Sequence, residues 1–182
     1  MIPLNEKSKR MTLLWERDGL SFYEYVPTPL HLLYCHFEKM TVSRRVRLLL
    51  EYFSKGKYKV FYLAKDGVAV GHCVAAAGNR RLRSSAREDV VLGPYFVDPA
   101  FRGNGYAKVL IGSTLRDGGL SYRYAYDYIK KTNIPSVKAT LACGFQPCGE
   151  LDIEGFFHKL IEREGGAYTI YRYDPSENTA SD

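Results

Sequence analysis

Val97-Asp98-Pro99-Ala100-Phe101-Arg102-Gly103-Asn104-Gly105-Tyr106-Ala107 is the stretch that decides how this chain is read. It runs from the end of an apolar strand through a proline turn and a glycine-rich bend into the start of a helix. Gly103 and Gly105 let successive main-chain N–H groups converge without side-chain obstruction. Together with the amides that open the following helix, they make a nest for a pyrophosphate, and Arg102 places a positive charge beside it. No Lys-Ser/Thr follows the second glycine, so this is not a Walker loop, and the spacing is not that of the dinucleotide GxGxxG turn.

Outward from this bend the pattern is mixed α and β. Upstream, residues 11–26 read as strand, turn and strand with the break at Asp18-Gly19, and residues 30–54 are helical. There Val42, Val46, Leu49, Leu50 and Phe53 fall on one face and Arg44, Arg45 and Arg47 turn outward. Strands over 58–64 and 68–77 flank a tight turn at Asp66-Gly67, and a basic loop covers 78–88. The strand over 89–97 contains Gly93-Pro94, where a bulge or lost pairing is expected because proline has no N–H to give. Downstream come a helix over 104–116, a tyrosine-rich strand over 121–130, and a helix opened by Pro135 and stopped at Gly144. A strand pair over 145–173, turning at Glu164-Gly165-Gly166, closes the chain. One domain spanning 1–182 is expected, with 1–10 and 174–182 loose.

Arg102-Gly103-Asn104-Gly105-Tyr106-Ala107 resembles the Arg/Gln-x-x-Gly-x-Gly/Ala signature of the GCN5-related N-acetyltransferase (GNAT) superfamily. Phe96-Val97-Asp98-Pro99 before it resembles the end of the family's fourth strand. A second match follows in order: Asn133-Ile134-Pro135-Ser136, then Cys143-Gly144-Phe145, resembles the family's Asn-x-x-Ser…Gly-Phe segment. The resemblance runs from about Val68 to Phe145. It implies an α/β (α+β) acyl-CoA N-acyltransferase fold with a mixed, mostly antiparallel sheet and flanking helices. The strands over 89–97 and 121–130 would be parallel and splayed. It implies acetyl-CoA as co-substrate, with the main chain of Phe96 and Val97 holding the pantetheine arm and thioester. Arg102, Gly103, Asn104, Gly105, Tyr106 and Ala107 would hold the pyrophosphate, and Asn133 and Ser136 would flank the pantetheine near its thiol end.

The activity so implied is direct transfer of an acetyl group to a primary amine. It needs a neutral amine, a donor for the oxyanion, here a main-chain N–H near Val97, and assistance to a leaving thiol of pKa about 8.5. Many family members place a tyrosine four residues before the Gly-Phe glycine; this chain has Thr140 there. Candidates for proton handling are therefore Tyr95, Asp127 and Thr140, with His72, Glu24 and His158 weaker. Cys143 and Cys148 lack an adjacent His-Asp pattern and are not read as nucleophiles.

The acceptor is expected to be a small-molecule amine such as an amino sugar, amino acid or amine. The aromatics Phe22, Tyr23, Tyr25, Tyr34, Phe156, Phe157, Tyr168 and Tyr171 and the bases His31, His36, Arg44 and His158 supply candidate wall residues. Two alternatives stay open: a non-catalytic acyl-CoA-binding or regulatory domain, and a protein N-acetyltransferase. The net charge of +6 is spread over short basic groups, so nucleic acid is not favoured as a partner. The four cysteines make no CxxC pair and match no zinc spacing, so no metal is expected and a reduced, cytoplasmic setting is. No apolar run reaches membrane-spanning length, so no membrane partner is expected, and a homodimer is left open.

Overall fold

The computed structural model describes residues 11–32, 42–55, 58–78, 82–155 and 158–178. The expected loose end at 1–10, residues 179–182 of the one expected at 174–182, and Tyr34, His36, Phe156 and Phe157 lie outside the described residues, as do the side-chain surroundings of Arg44. The strands are β1 (Met11–Arg17), β2 (Leu20–Tyr25), β3 (Tyr58–Lys65), β4 (Val68–Ala77), β5 (Val90–Val97), β6 (Ala125–Lys130), β7 (Gln146–Glu154), β8 (Lys159–Glu162) and β9 (Tyr168–Tyr173). The helices are α1 (Val42–Lys55), α2 (Tyr106–Asp117), α3 (Ile134–Leu141) and the short α4 (Pro175–Asn178). Two compact units divide the chain: Met1–Ala75 with Pro94–Leu120, and Ala76–Gly93 with Ser121–Asp182.

In the first unit the strands follow the order β1-β2-β3-β4 and then the latter part of β5. Trp15 stacks on Phe22 and Phe22 on Phe61, each pair with ring centroids 5.5 Å apart. The ladder follows from the register, which sets Trp15 opposite Phe22 and Phe22 opposite Leu63, two residues along β3 from Phe61 and on the same face of the sheet. Phe22, Tyr25, Phe61, Tyr62, Leu63, Leu110 and Ile111 are buried, each side chain contributing roughly 1.5–3 kcal/mol. Phe22 and Tyr25 are thus core residues rather than wall residues of a pocket. Tyr25 and Tyr58 also tie the loop after β2, donating hydroxyl hydrogen bonds to the carbonyls of His31 (2.9 Å) and Leu32 (3.0 Å). The apolar stripe of α1 is exposed, at 79% for Val42 and 66% for Phe53. Its Tyr52 instead meets Tyr58 edge-on at 6.2 Å, so the inward-facing side is not the one that the spacing of aliphatic residues suggests.

In the second unit the order is the first part of β5, then β6-β9-β7-β8. The pairs β6–β9, β9–β7 and β7–β8 are antiparallel. The pair β5–β6 is parallel and registers only Val90 with Ala125 and Val91 with Tyr126. It ends where Gly93 takes φ +102, a conformation that an L side chain rarely adopts, and where Pro94 brings no N–H. Leu82, Val91, Tyr126, Leu151 and Ile170 form a core on one face. Asp127, opposite Tyr171 in the register, points to the other face by strand alternation.

Four expectations differ. Thr28 and His31 pair as an isolated antiparallel bridge where the helix expected over 30–54 would begin, and the described helix α1 is Val42–Lys55. The tail expected loose from 174 carries the short helix α4. The strand over 121–130 begins only at Ala125, because the amides before it are engaged elsewhere: Arg123 N–H donates to the Glu88 carbonyl at 2.8 Å and Tyr124 N–H to Asp89 Oδ1 at 3.3 Å. The segment 145–173 carries three strands rather than two. A further turn at Gly155, whose carbonyl accepts from His158 N–H at 3.2 Å, separates β7 from β8.

Candidate active site

The first unit builds the loop that the sequence singled out. Asp98 N–H donates to the Val70 carbonyl at 2.8 Å, holding the end of β5 on β4. The Asp98 carboxylate accepts from Ala100 N–H at 2.9 Å and caps a single 3-10 turn, Pro99–Phe101. Asn104 then closes the bend: its side-chain amide donates to the carbonyls of Phe101 (3.1 Å) and Arg102 (3.3 Å). Those two hydrogen bonds hold the bend in one conformation. Gly103 and Gly105 stand at φ +84 and +76, and a Cβ on either would meet nothing within 4 Å, so the space above both is open. Gly105 is the N-cap of α2 and supplies no side-chain hydrogen bond to its first turn. The opening amides of α2 therefore keep their donor capacity and the positive end of the helix dipole.

Arg102 sits differently from a simple extra charge on the loop. Its Nε donates to the Val97 carbonyl at 3.1 Å and its guanidinium lies 5.5 Å from the centroid of the Phe96 ring. The same side chain thus braces the strand end and carries charge next to the nest. Tyr106 meets Phe101 edge-on at 6.4 Å. Tyr95 stands half-buried on β5.

The second unit brings Asp127 and Thr140 together. Asn133 caps α3, its side-chain oxygen accepting from Ser136 N–H at 3.5 Å, and Pro135 occupies the first turn, where its missing N–H costs nothing. The helix so started carries Thr140 onto β6. There its hydroxyl donates to Asp127 Oδ2 at 2.9 Å, and both residues are buried. Burial lifts the Asp127 carboxyl from 3.8 to about 7, against the hydrogen bonds from Thr140 and the Tyr128 main chain, which pull it down. Such a group is close to half-ionised at neutral pH, the condition under which a carboxyl exchanges protons most readily.

The structure therefore groups the sequence candidates by unit. Phe96, Val97 and Arg102 through Ala107 form one continuous piece with Tyr95, and Asp127, Thr140, Asn133 and Ser136 form another. Sequence reasoning missed how β4 supports Phe96. The His72 ring stacks on the Phe96 ring at 6.2 Å and 26°. The available signal was Gly71, a glycine inside an apolar strand, which often marks a close backbone approach. Among the described residues no group of three or more His, Cys, Asp or Glu side chains could hold a metal, and no helix is long and apolar enough to cross a membrane. Cys73 is buried, Cys143 half-buried and Cys148 exposed.

Solved structures share this architecture. An acetyltransferase from Thermus thermophilus is 20% identical with a TM-score of 0.54, covering 75% of this chain and 77% of its own. Spermidine N-acetyltransferase from Vibrio cholerae, in complex with CoA and spermine, is 16% identical with a TM-score of 0.55, covering 77% and 80%. The Campylobacter jejuni N-acetyltransferase PseH, in complex with acetyl coenzyme A, is 14% identical with a TM-score of 0.50, covering 72% and 77%. At these identities the likeness establishes the fold. No curated protein sequence matches the chain. The class comes from the Acetyltransferase (GNAT) family model, which matches residues 26–145. The chain belongs to that family and is an acyltransferase.

Proposed function

We propose that the protein binds acetyl-CoA and transfers its acetyl group directly to a primary amine on a small molecule. The observation that carries this reading is the loop Arg102–Ala107, with open space over Gly103 and Gly105 at the uncapped start of α2. Its donor set suits a pyrophosphate: main-chain N–H groups, a helix N-terminus and one guanidinium. Bound there, acetyl-CoA supplies an activated thioester carbonyl. The chain's own residues do the rest. The main chain of Phe96 and Val97 orients the pantetheine end, with an N–H near Val97 as oxyanion donor. Asn133 and Ser136, at the start of α3, are assigned to the pantetheine arm on the family resemblance alone. Thr140 and Asp127 handle the proton: a proton reaching the Thr140 oxygen passes along its hydrogen bond to the Asp127 carboxylate, whose affinity near pH 7 fits that task. Tyr95, on β5 in the first unit, is a separate candidate for proton transfer.

A small amine is favoured as acceptor because a relative in fold, the Vibrio cholerae enzyme, is held with spermine. The cytoplasmic setting proposed with it rests on cysteine spacings that match neither a CxxC pair nor a zinc site and on acetyl-CoA as co-substrate. The test is calorimetric titration with CoA and acetyl-CoA, followed by thiol release from acetyl-CoA over a panel of polyamines, amino sugars and amino acids. Binding plus amine-dependent thiol release is expected. Binding with no release over the whole panel would make the chain an acyl-CoA-binding domain, and no binding would overturn the proposal.

A further inference from the structure

We infer that Gly71 is a positioning residue for acyl transfer, holding the Phe96–Val97 main chain where the proposed function needs it. A Cβ on Gly71 would overlap the Phe96 carbonyl oxygen and come within 3.2 Å of Val97 Cα and 3.3 Å of the Phe96 carbonyl carbon. All three are main-chain atoms, so no rotamer change relieves the overlap. Gly71 does not occupy a left-handed conformation, so an alanine there is excluded by space and not by its own backbone.

The neighbours of Gly71 show that this close crossing is held from several sides. Val70, one residue before it, accepts the Asp98 N–H at 2.8 Å. His72, one residue after it, is buried and stacks its ring on Phe96. Arg102 adds a further hold, with Nε on the Val97 carbonyl at 3.1 Å and its guanidinium 5.5 Å from the Phe96 ring centroid. Three consecutive residues of β4 thus hold the stretch Phe96–Asp98: Val70 by a hydrogen bond to Asp98, Gly71 by the close approach its missing side chain permits, and His72 by a ring contact with Phe96. Close-packed interiors transmit a volume change instead of absorbing it. A methyl group at 71 therefore moves the Phe96–Val97 main chain by on the order of 1 Å, a displacement that costs roughly a hundredfold in rate when it misplaces reacting groups. The glycine bend at Gly103 and Gly105 lies beyond the turn Pro99–Phe101, where the added methyl has no contact.

This inference rests on the proposed function, and the experiment separates the two. Gly71→Ala is assayed beside the wild type for CoA affinity by calorimetry and for kcat and KM with acetyl-CoA and the best amine of the panel. The expected result is a kcat lower by about a hundredfold with CoA affinity within about threefold of wild type. Gly71→Ser should be worse than Gly71→Ala. A residue that merely supported the fold would lower the active fraction and Tm together without splitting kcat from CoA affinity. An unchanged kcat in Gly71→Ala against an active wild type overturns the inference alone. Absent CoA binding by the wild type overturns the functional reading and this inference with it. Should Gly71→Ala fail to fold, amide hydrogen exchange on the wild-type protein decides: slow exchange at Asp98 supports the fixed crossing, and exchange as fast as an open loop overturns it.

Discussion

Asp127→Asn is the most searching perturbation of the site. Asparagine keeps the shape of the side chain, and its amide oxygen can still accept from the Thr140 hydroxyl, so packing and the 2.9 Å hydrogen bond are retained while the titration is removed. In the folded wild type the carboxyl titrates near 7, against 3.8 ordinarily. An acid with a raised folded pKa binds its proton more tightly in the folded state. Its stabilising contribution is complete below the unfolded pKa and is lost as pH rises through the folded one. At about 1.36 kcal/mol per pKa unit, the contribution lost between pH 4 and pH 8 is on the order of 4 kcal/mol, an upper figure because a buried carboxylate recruits water as it ionises. Urea unfolding at a series of pH values should show wild type and variant close together near pH 4 and the variant more stable by a few kcal/mol at pH 8. The kinetic counterpart is the pH profile of kcat/KM: a rising limb with an apparent pKa near 7 in the wild type should flatten in the variant, with turnover down ten- to a thousand-fold. Parallel stability curves from pH 4 to 8 would refute the claim that burial raises this carboxyl. A displaced stability curve with an unchanged pH–rate profile would leave Asp127 as packing and remove it from proton transfer.

Arg102→Glu should weaken CoA affinity by roughly tenfold to a hundredfold in a calorimetric titration, because it repels phosphate and releases the Val97 carbonyl. Gly105→Val should abolish measurable CoA binding, since it fills the open space of the nest and forces a β-branched residue into φ +76, a conformation costing at least about 1–2 kcal/mol by itself. Asp89→Ala should lower Tm with CoA affinity nearly unchanged. It removes the acceptor of Ala86 N–H (2.6 Å), Tyr124 N–H (3.3 Å) and the Arg123 guanidinium (3.2 Å), and stranding such donors costs roughly 1–3 kcal/mol. The wild-type Asp89 is held below the usual carboxylate range: burial pushes it up, but Arg123 and the two amides outweigh that. Its contribution to stability is therefore present above pH 4 and is lost on acidification below it.

Local chemistry made much of this legible in advance. Asp18-Gly19 and Asp66-Gly67 announced hairpin turns, and both appear where expected. Gly93-Pro94 announced the end of a strand pairing, and the parallel register stops two residues before it. The phosphate loop was readable because two glycines and a helix start are local facts. Contacts made by distant segments were not readable. Nothing near Asp89 in the chain says that Arg123 will meet it and delay β6 to Ala125. The exposed aliphatic stripe of α1 likewise follows an amphipathic pattern that names one face, while the ring of Tyr52 packs on another. Thr140 illustrates the intermediate case. Its departure from the family's tyrosine was visible, and its meaning came only with the hydrogen bond to Asp127.

Asn104 has a consequence for the thermodynamics of recognition. By bridging the carbonyls of Phe101 and Arg102 it freezes the bend when the chain folds, so a ligand meets a loop whose ordering entropy has already been lost. Backbone ordering amounts to about 1–2 kcal/mol per residue, so a bend of a few residues that had to order on binding would forfeit several kcal/mol of affinity. Asn104→Ala should accordingly make CoA binding weaker through its entropy, with the enthalpy of the pyrophosphate contacts largely preserved.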